Sequence, residues 1–189
     1  AEFKLDIWEL DNLSRGAGDV DLDAAEAAAL AMTEFEDNAI FNGFPAGGMT
    51  GLTQLDENKP IPLKPEPAGL LKALSQAVLV LRDRAVDGPF SLIVGPRVFQ
   101  TLTVQSQGYP LRKQVENLIG GPVLYTTVLD GGLLISRRGG DLELTLGQDL
   151  SVGYDHHDSR RATLFISESF TFRVLDPGVC VNLPLSGRK

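Results

Sequence analysis

The residues best equipped for chemistry are two adjacent histidines, His156 and His157, within the run Tyr154-Asp155-His156-His157-Asp158-Ser159. They are the only imidazoles in the chain. A hydrolase needs a nucleophile and a base within hydrogen-bond reach, usually with an orienting acid. Adjacent histidines point in different directions and rarely share one metal, and Asp155 and Asp158 have no helical i, i+4 arrangement behind them. The run therefore reads as a solvated polar loop, with adventitious metal binding as the sharper alternative. No triad, no HExxH and no paired-carboxylate motif accompanies it. The sequence assigns no catalytic residue and no metal ligand.

Three other features invite a chemical reading. Asp19, Asp21 and Asp23 alternate in DVDLD, but the calcium-loop pattern with its central glycine and terminal glutamate is absent, and acids at a helix start explain them through the dipole. Gly47-Gly48 and Gly51 lack the Walker spacing and its Lys-Ser/Thr, which leaves turn chemistry. The single cysteine, Cys180, sits in the apolar run Val179-Cys180-Val181 and reads as a buried small hydrophobe.

Composition narrows the class. The 189 residues carry 17 Lys and Arg against 25 Asp and Glu, a net charge of −8. A phosphate-tracking surface needs clustered bases, so a nucleic-acid binder is not expected. One cysteine gives neither a disulfide nor a metal cluster. No segment approaches the roughly 18 apolar residues of a membrane span, and the charged, alternating start is unlike a signal peptide. A reducing cytoplasm is the expected location.

Period-two alternation of Phe3, Leu5, Ile7 and Leu10, with Trp8 out of phase, predicts a half-buried strand over 3–10. Residues 11–21 read as a polar turn. An Ala-rich helix is predicted over 24–41, of about 30 Å if some 20 residues long, with Asp23 and Glu26 at capping-box-like spacing and Asp19 or Asp21 as rival caps. Leu30, Ala31, Phe35, Ala39 and Ile40 tend towards one side of it. A proline-rich loop over 44–67 follows, then helices at 67–81, 98–104 and 111–119. Strands are predicted at 90–94, 123–127, 133–136, 142–146, 162–175 and 179–183. Helices dominate the first half and strands the second, without βαβ alternation, which gives an α+β fold.

Three separated segments, 3–16 (FKLDIWELDNLSRG), 147–155 (GQDLSVGYD) and 164–177 (LFISESFTFRVLDP), resemble the encapsulins, the linocin-type shell proteins. The resemblance runs in the same order to the C-terminus. It implies the tailed-phage major-capsid fold of the Hong Kong phage type: 1–16 as the returning strand of a partial extended loop, 17–64 and 149–189 as a peripheral domain with a spine helix, and 65–148 as an axial domain. It also implies that a full subunit carries an amino-terminal arm and the first half of the extended loop ahead of Ala1. Proteolysis or disorder is the expected origin of the short chain.

The function implied is structural, not enzymatic. Subunits self-assemble into an icosahedral nanocompartment around a cargo enzyme, a peroxidase or ferritin-like protein held by a C-terminal tail peptide. On that resemblance, Leu150, Val152, Ile166 and Phe170 become candidates for the cargo-peptide pocket, with core packing as the rival reading of each. Gln105, Ser106, Gln107, Gly108 and Tyr109 fall at the pore loop of the five-fold axis, where small uncharged groups would make a neutral aperture. Trp8 has two readings, a ring packed at a subunit contact or a flavin contact. A prophage capsid subunit and a secreted bacteriocin or protease are the alternative functions.

Overall fold

The chain opens with a cap. In the computed structural model, which describes residues 1–104 and 108–186, strand β1 (Glu2–Asp6) gives way at once to helix α1 (Ile7–Ser14). Phe3 and Leu5 are buried and their neighbours exposed, as alternation demands. Asp6 then turns the chain: its carboxylate accepts the Trp8 backbone N–H at 2.8 Å, an N-cap bond. The predicted strand over 3–10 is corrected here, as is the polar turn from residue 11. Trp8 was out of phase because it already lies on a helix.

Helix α2 (Asp23–Asn42) follows. Asp21 accepts the Asp23 N–H at 3.1 Å, so of the three alternating acids it is Asp21 that satisfies the first free donor of the helix, from one residue ahead of the cap position. Gly43 takes a left-handed φ of +87° just past the last turn. Helix α2 buries Ala28 and Ala39 and leaves Leu30 and Phe35 exposed, so the apolar stripe expected of Leu30 and Phe35 does not face a core.

Two compact units emerge. Unit 1 comprises 1–36 and 144–171; unit 2 comprises 37–143 and 172–189. Helix α2 and the strands β5 (Leu142–His157) and β6 (Arg161–Val174) contribute to both.

Unit 2 holds a mixed four-stranded sheet in the order β3-β2-β4-β7, from β3 (Val123–Tyr125), β2 (Phe90–Val94), β4 (Gly132–Ser136) and β7 (Cys180–Leu183). β2 runs parallel to β3 and antiparallel to β4, which is antiparallel to β7. Helix α3 (Pro67–Asp83) starts on Pro67 and buries Leu70, Leu74, Ala77, Val78 and Leu81, the spacing of one helical face. With Val98 and Leu102 of α4 (Pro96–Thr103) and Leu111, Val115 and Ile119 of α5 (Leu111–Ile119), these residues form the main core. Gly95 is required by backbone approach, because a β-carbon there would collide with the Leu129 carbonyl.

Unit 1 holds the three-stranded sheet β1-β6-β5. β1 is antiparallel to β6 with Phe3 opposite Leu164 and Leu5 opposite Ala162. The ladder reaches the first residue, where the Ala1 amine donates to the Ile166 carbonyl and Ile166 N–H donates back, both at 2.8 Å. β5 outruns the predicted strand over 142–146 by eleven residues. It passes through Gly147 and Gly153, and His156 and His157 are its last two residues instead of loop residues.

Candidate functional site

Side-chain direction in unit 1 separates two faces. Ser151 lies across from Ser167, their hydroxyls 3.4 Å apart, and a β-carbon on Gly153 would meet the Phe165 ring. Those residues share one face. By strand alternation, Leu150, Val152 and Tyr154 of β5 share the opposite face with Leu164 and Ile166 of β6. That second face is apolar, and it is covered unequally. Over β1 and β6 it packs into a small core of Phe3, Leu5, Ala28 and Ile166, joined by Ala25 and Met32 from α2. Over β5 it stays open: Leu146, Leu150 (48%), Val152 (65%) and Tyr154 (58%) are all exposed. Contiguous apolar exposure of this kind marks an interaction surface.

The four pocket candidates therefore divide. Leu150 and Val152 lie on the open strip. Ile166 is 8% exposed and belongs to the core beneath α2. Phe170 is half-buried, its ring edge-on to Phe35 at 6.4 Å and 68°. Sequence reasoning missed Leu146 and Tyr154. The signal was present, since apolar residues occupy 142, 144, 146, 150, 152 and 154, but the two glycines masked the period.

Charge is as uneven as burial. Unit 1 contains 14 of the 25 acids and only 4 of the 17 lysines and arginines, a formal −10, whereas unit 2 stands at +2. Asp149 and Asp155 punctuate the open strand, Glu168 lies on its neighbour, and Glu26 and Glu34 are exposed on α2. Bases gather at the hairpin between β5 and β6. There Asp158 accepts the backbone N–H groups of Arg160 and Arg161 at 2.7 and 2.8 Å, which hold its carboxyl below the usual range.

The histidines are placed at this same hairpin. His157 Nδ1 and the Tyr154 hydroxyl share a hydrogen bond of 2.5 Å, and His156 Nδ1 lies 2.9 Å from the Asp155 carboxylate. Both pairs are exposed. No group of three metal-ligating side chains occurs among the described residues. Cys180 is buried, and loss of hydration pushes its thiol up to about 11.

Trp8 is 62% exposed on α1, with the Arg15 guanidinium 5.9 Å from its ring centroid. This is cation–π range. Of the pore-loop candidates, Gln105, Ser106 and Gln107 lie outside the described residues. Gly108 has φ +113°, and Tyr109 is exposed, with its hydroxyl accepting from Asn117 at 3.2 Å and its carbonyl from Gln114 at 2.9 Å.

Comparison with known proteins aligns this arrangement with particle-forming relatives. A family described as "encapsulating protein for peroxidase" matches residues 1–171. A type 1 encapsulin shell protein of Rhodospirillum rubrum is 44% identical over 98% of this chain and 66% of its own length. One from Mycolicibacterium paratuberculosis is 35% identical over 90% of this chain and 64% of its own. The chain thus spans about two thirds of the relatives it matches. Among solved structures, the virus-like particle from Pyrococcus furiosus superposes with a TM-score of 0.68 at 19% identity, covering 96% of this chain and 73% of that one. Gordonia phage Cozz gives 0.61 at 16% identity, covering all of this chain and 70% of that one. The fold is that of tailed-phage capsids and their particle-forming relatives.

Proposed function

The chain belongs to the family of encapsulating proteins for peroxidase, the encapsulin shell proteins, and from that premise we propose that it is a structural subunit of a self-assembling icosahedral nanocompartment. The identity to the Rhodospirillum rubrum shell protein, running along nearly the whole chain, is the observation that carries this reading. The fold supports it, since subunits of this architecture close into particles by repeated quasi-symmetric contacts. The work of such a subunit is to tile, enclose and meter traffic.

Its partners are copies of itself and a cargo enzyme, a peroxidase or ferritin-like protein held through a C-terminal tail peptide. The open strip of Leu146, Leu150, Val152 and Tyr154 supports the capture of that peptide. An edge strand offers main-chain pairing, and the exposed apolar side chains offer pockets. The loop around Gly108 and Tyr109 borders the pore. Trp8, exposed and backed by Arg15, stacks a flavin. The compartment lies in the cytoplasm; no helix among the described residues is long and apolar enough to cross a membrane.

Light scattering coupled to gel filtration, with negative-stain microscopy of the leading peak, tests the assembly. Closed hollow particles are the expected result for the shell. Particles that carry nucleic acid, read from their absorbance ratio, would favour the phage-capsid alternative that the Cozz likeness keeps open. Monomers at every concentration would overturn assembly by this chain.

A further inference from the structure

Charge is distributed in blocks along this chain. Residues 16–58 hold nine acids and no base, whereas residues 59–113 hold eight bases against three acids. Each block includes a long helix with an uncovered face. On α2, Leu30 is 66% exposed, with Glu26 and Glu34 one turn to either side and Ala27 and Ala31 beside it, all of them exposed. On α3, Leu79 is 59% exposed, away from the buried face that runs from Leu70 to Leu81. Lys72 lies two turns before it and Arg82 one turn after, both exposed. Among the described residues, none of these four charged side chains has an ion-pair partner.

The two faces are complementary. Glu26 and Glu34 are about 12 Å apart along their helix, and Lys72 and Arg82 about 15 Å along theirs, a difference that long basic side chains take up. Both faces are exposed in the same chain, so they do not meet each other within it. We infer that α2 of one copy packs against α3 of a neighbouring copy, Leu30 against Leu79, with the two glutamates paired to Lys72 and Arg82. The inference rests on the assembly reading and names one contact of the lattice. Because the two patches differ, the contact is heterologous: each copy offers an acidic face to one neighbour and a basic face to the next. Such a contact propagates into a ring or an open array instead of closing a dimer. The leucines form its buried centre, and Ala27, Ala31 and Ser75, all short, let the helix axes approach. The rim charges fix which faces meet and how fast, and salt screens them.

The test is a charge swap, read by light scattering coupled to gel filtration across a dilution series. Glu26→Lys with Glu34→Lys, and separately Lys72→Glu with Arg82→Glu, put like charges face to face. Each pair is expected to raise the concentration for half-assembly at least about tenfold. All four changes in one chain restore opposite charges and the original net charge, and assembly is expected to return. Glu26→Lys and Glu34→Lys combined with Lys59→Glu and Arg97→Glu, two exposed bases off the α3 face, reach the same net charge without the match and should stay impaired. Thermal unfolding curves that coincide with that of the unaltered chain show an intact fold. Leu79→Ser alters no charge, is expected to weaken assembly as well, and decides the matter if a reversal disturbs folding. Assembly that either double reversal or Leu79→Ser leaves unchanged overturns the contact and leaves the shell reading standing. Equal recovery by the off-face combination reduces the effect to net charge and overturns the contact too. An unaltered chain that stays monomeric at every concentration overturns the assembly reading, and the contact with it.

Discussion

The ring of Phe165 occupies the space that a side chain on Gly153 would need: a β-carbon built there lies 2.6 Å from Cε2 and closer still to Cζ. The pair closes one face of the sheet in unit 1 without help from φ, because Gly153 is not in the left-handed region. Gly153→Ala is therefore expected to destabilise by about 1–3 kcal/mol through overpacking, although alanine suits a strand backbone better than glycine. Adding Phe165→Ala should recover part of that loss. A urea double-mutant cycle reads the coupling; additive effects would show that the ring does not depend on the glycine.

Ile166 and Val152 share a face and have opposite fates. Ile166→Ala removes a side chain from the small core and is expected to cost about 2–5 kcal/mol, whereas Val152→Ala should stay within about 0.5 kcal/mol. The same pair should invert in a cargo-retention assay, where Val152→Asp releases cargo from particles that still form. Equal stability losses at both positions would place Val152 in the core.

Arg138 bridges Asp141 and Asp176, at 2.7 and 2.6 Å, across the turn from β4 into β5. Its hydrogen bond is the main reason the Asp141 carboxyl is held below the ordinary range, with loss of hydration opposing it and the guanidinium charge adding to it. A carboxyl depressed in the folded state adds stability that is fully present above its unfolded value, about 3.9, and is lost as pH falls through the lower folded value. Arg138→Gln is therefore expected to lower stability by its full amount at pH 7 and raise the midpoint of acid unfolding, with the difference from the unaltered chain vanishing as pH falls below the folded value of Asp141. Circular dichroism across an acid titration measures it.

The Cys180 thiol, raised to about 11 by burial, is expected to resist Ellman's reagent at pH 8 in the folded chain. It should react at once in denaturant. Stoichiometric labelling of the native protein would mean that β7 opens freely.

What could be read from the sequence depended on whether pattern and burial were tied together. Helices α3 and α5 and strand β2 were legible because each meets the unit 2 core along its whole length. Helix α1 was not, because a single capping carboxylate, Asp6, overrides two further alternations. β5 was half legible. Gly147 and Gly153 look like breakers in sequence, yet in the sheet they make room for Ser169 and Phe165. His156 and His157 looked like loop residues because the run around them is polar, whereas they end β5. Of the docking strip, Leu150 and Val152 were reachable through a resemblance. The exposure of Leu146 and Tyr154, and the burial of Ile166, needed to know which half of the sheet α2 covers.

Trp8 offers a fifth measurement. Free flavin mononucleotide is expected to quench its fluorescence, and Arg15→Ala should weaken that quenching by removing the guanidinium beside the ring. Quenching that persists unchanged after Trp8→Phe, followed by flavin emission instead, would place the cofactor elsewhere.

Gly139 and Gly140 both take left-handed φ values, 82° and 81°, and a β-carbon on either would meet nothing within 4 Å. The turn they form is exposed, and the flanking Arg138 and Asp141 pin its base. Such a turn suits grafting. A foreign peptide inserted between the two glycines would project from a clamped stem and relieve the tight backbone. On a particle, that single insertion would be displayed once per subunit, which makes the turn a natural place to build an antigen or an affinity handle into the coat.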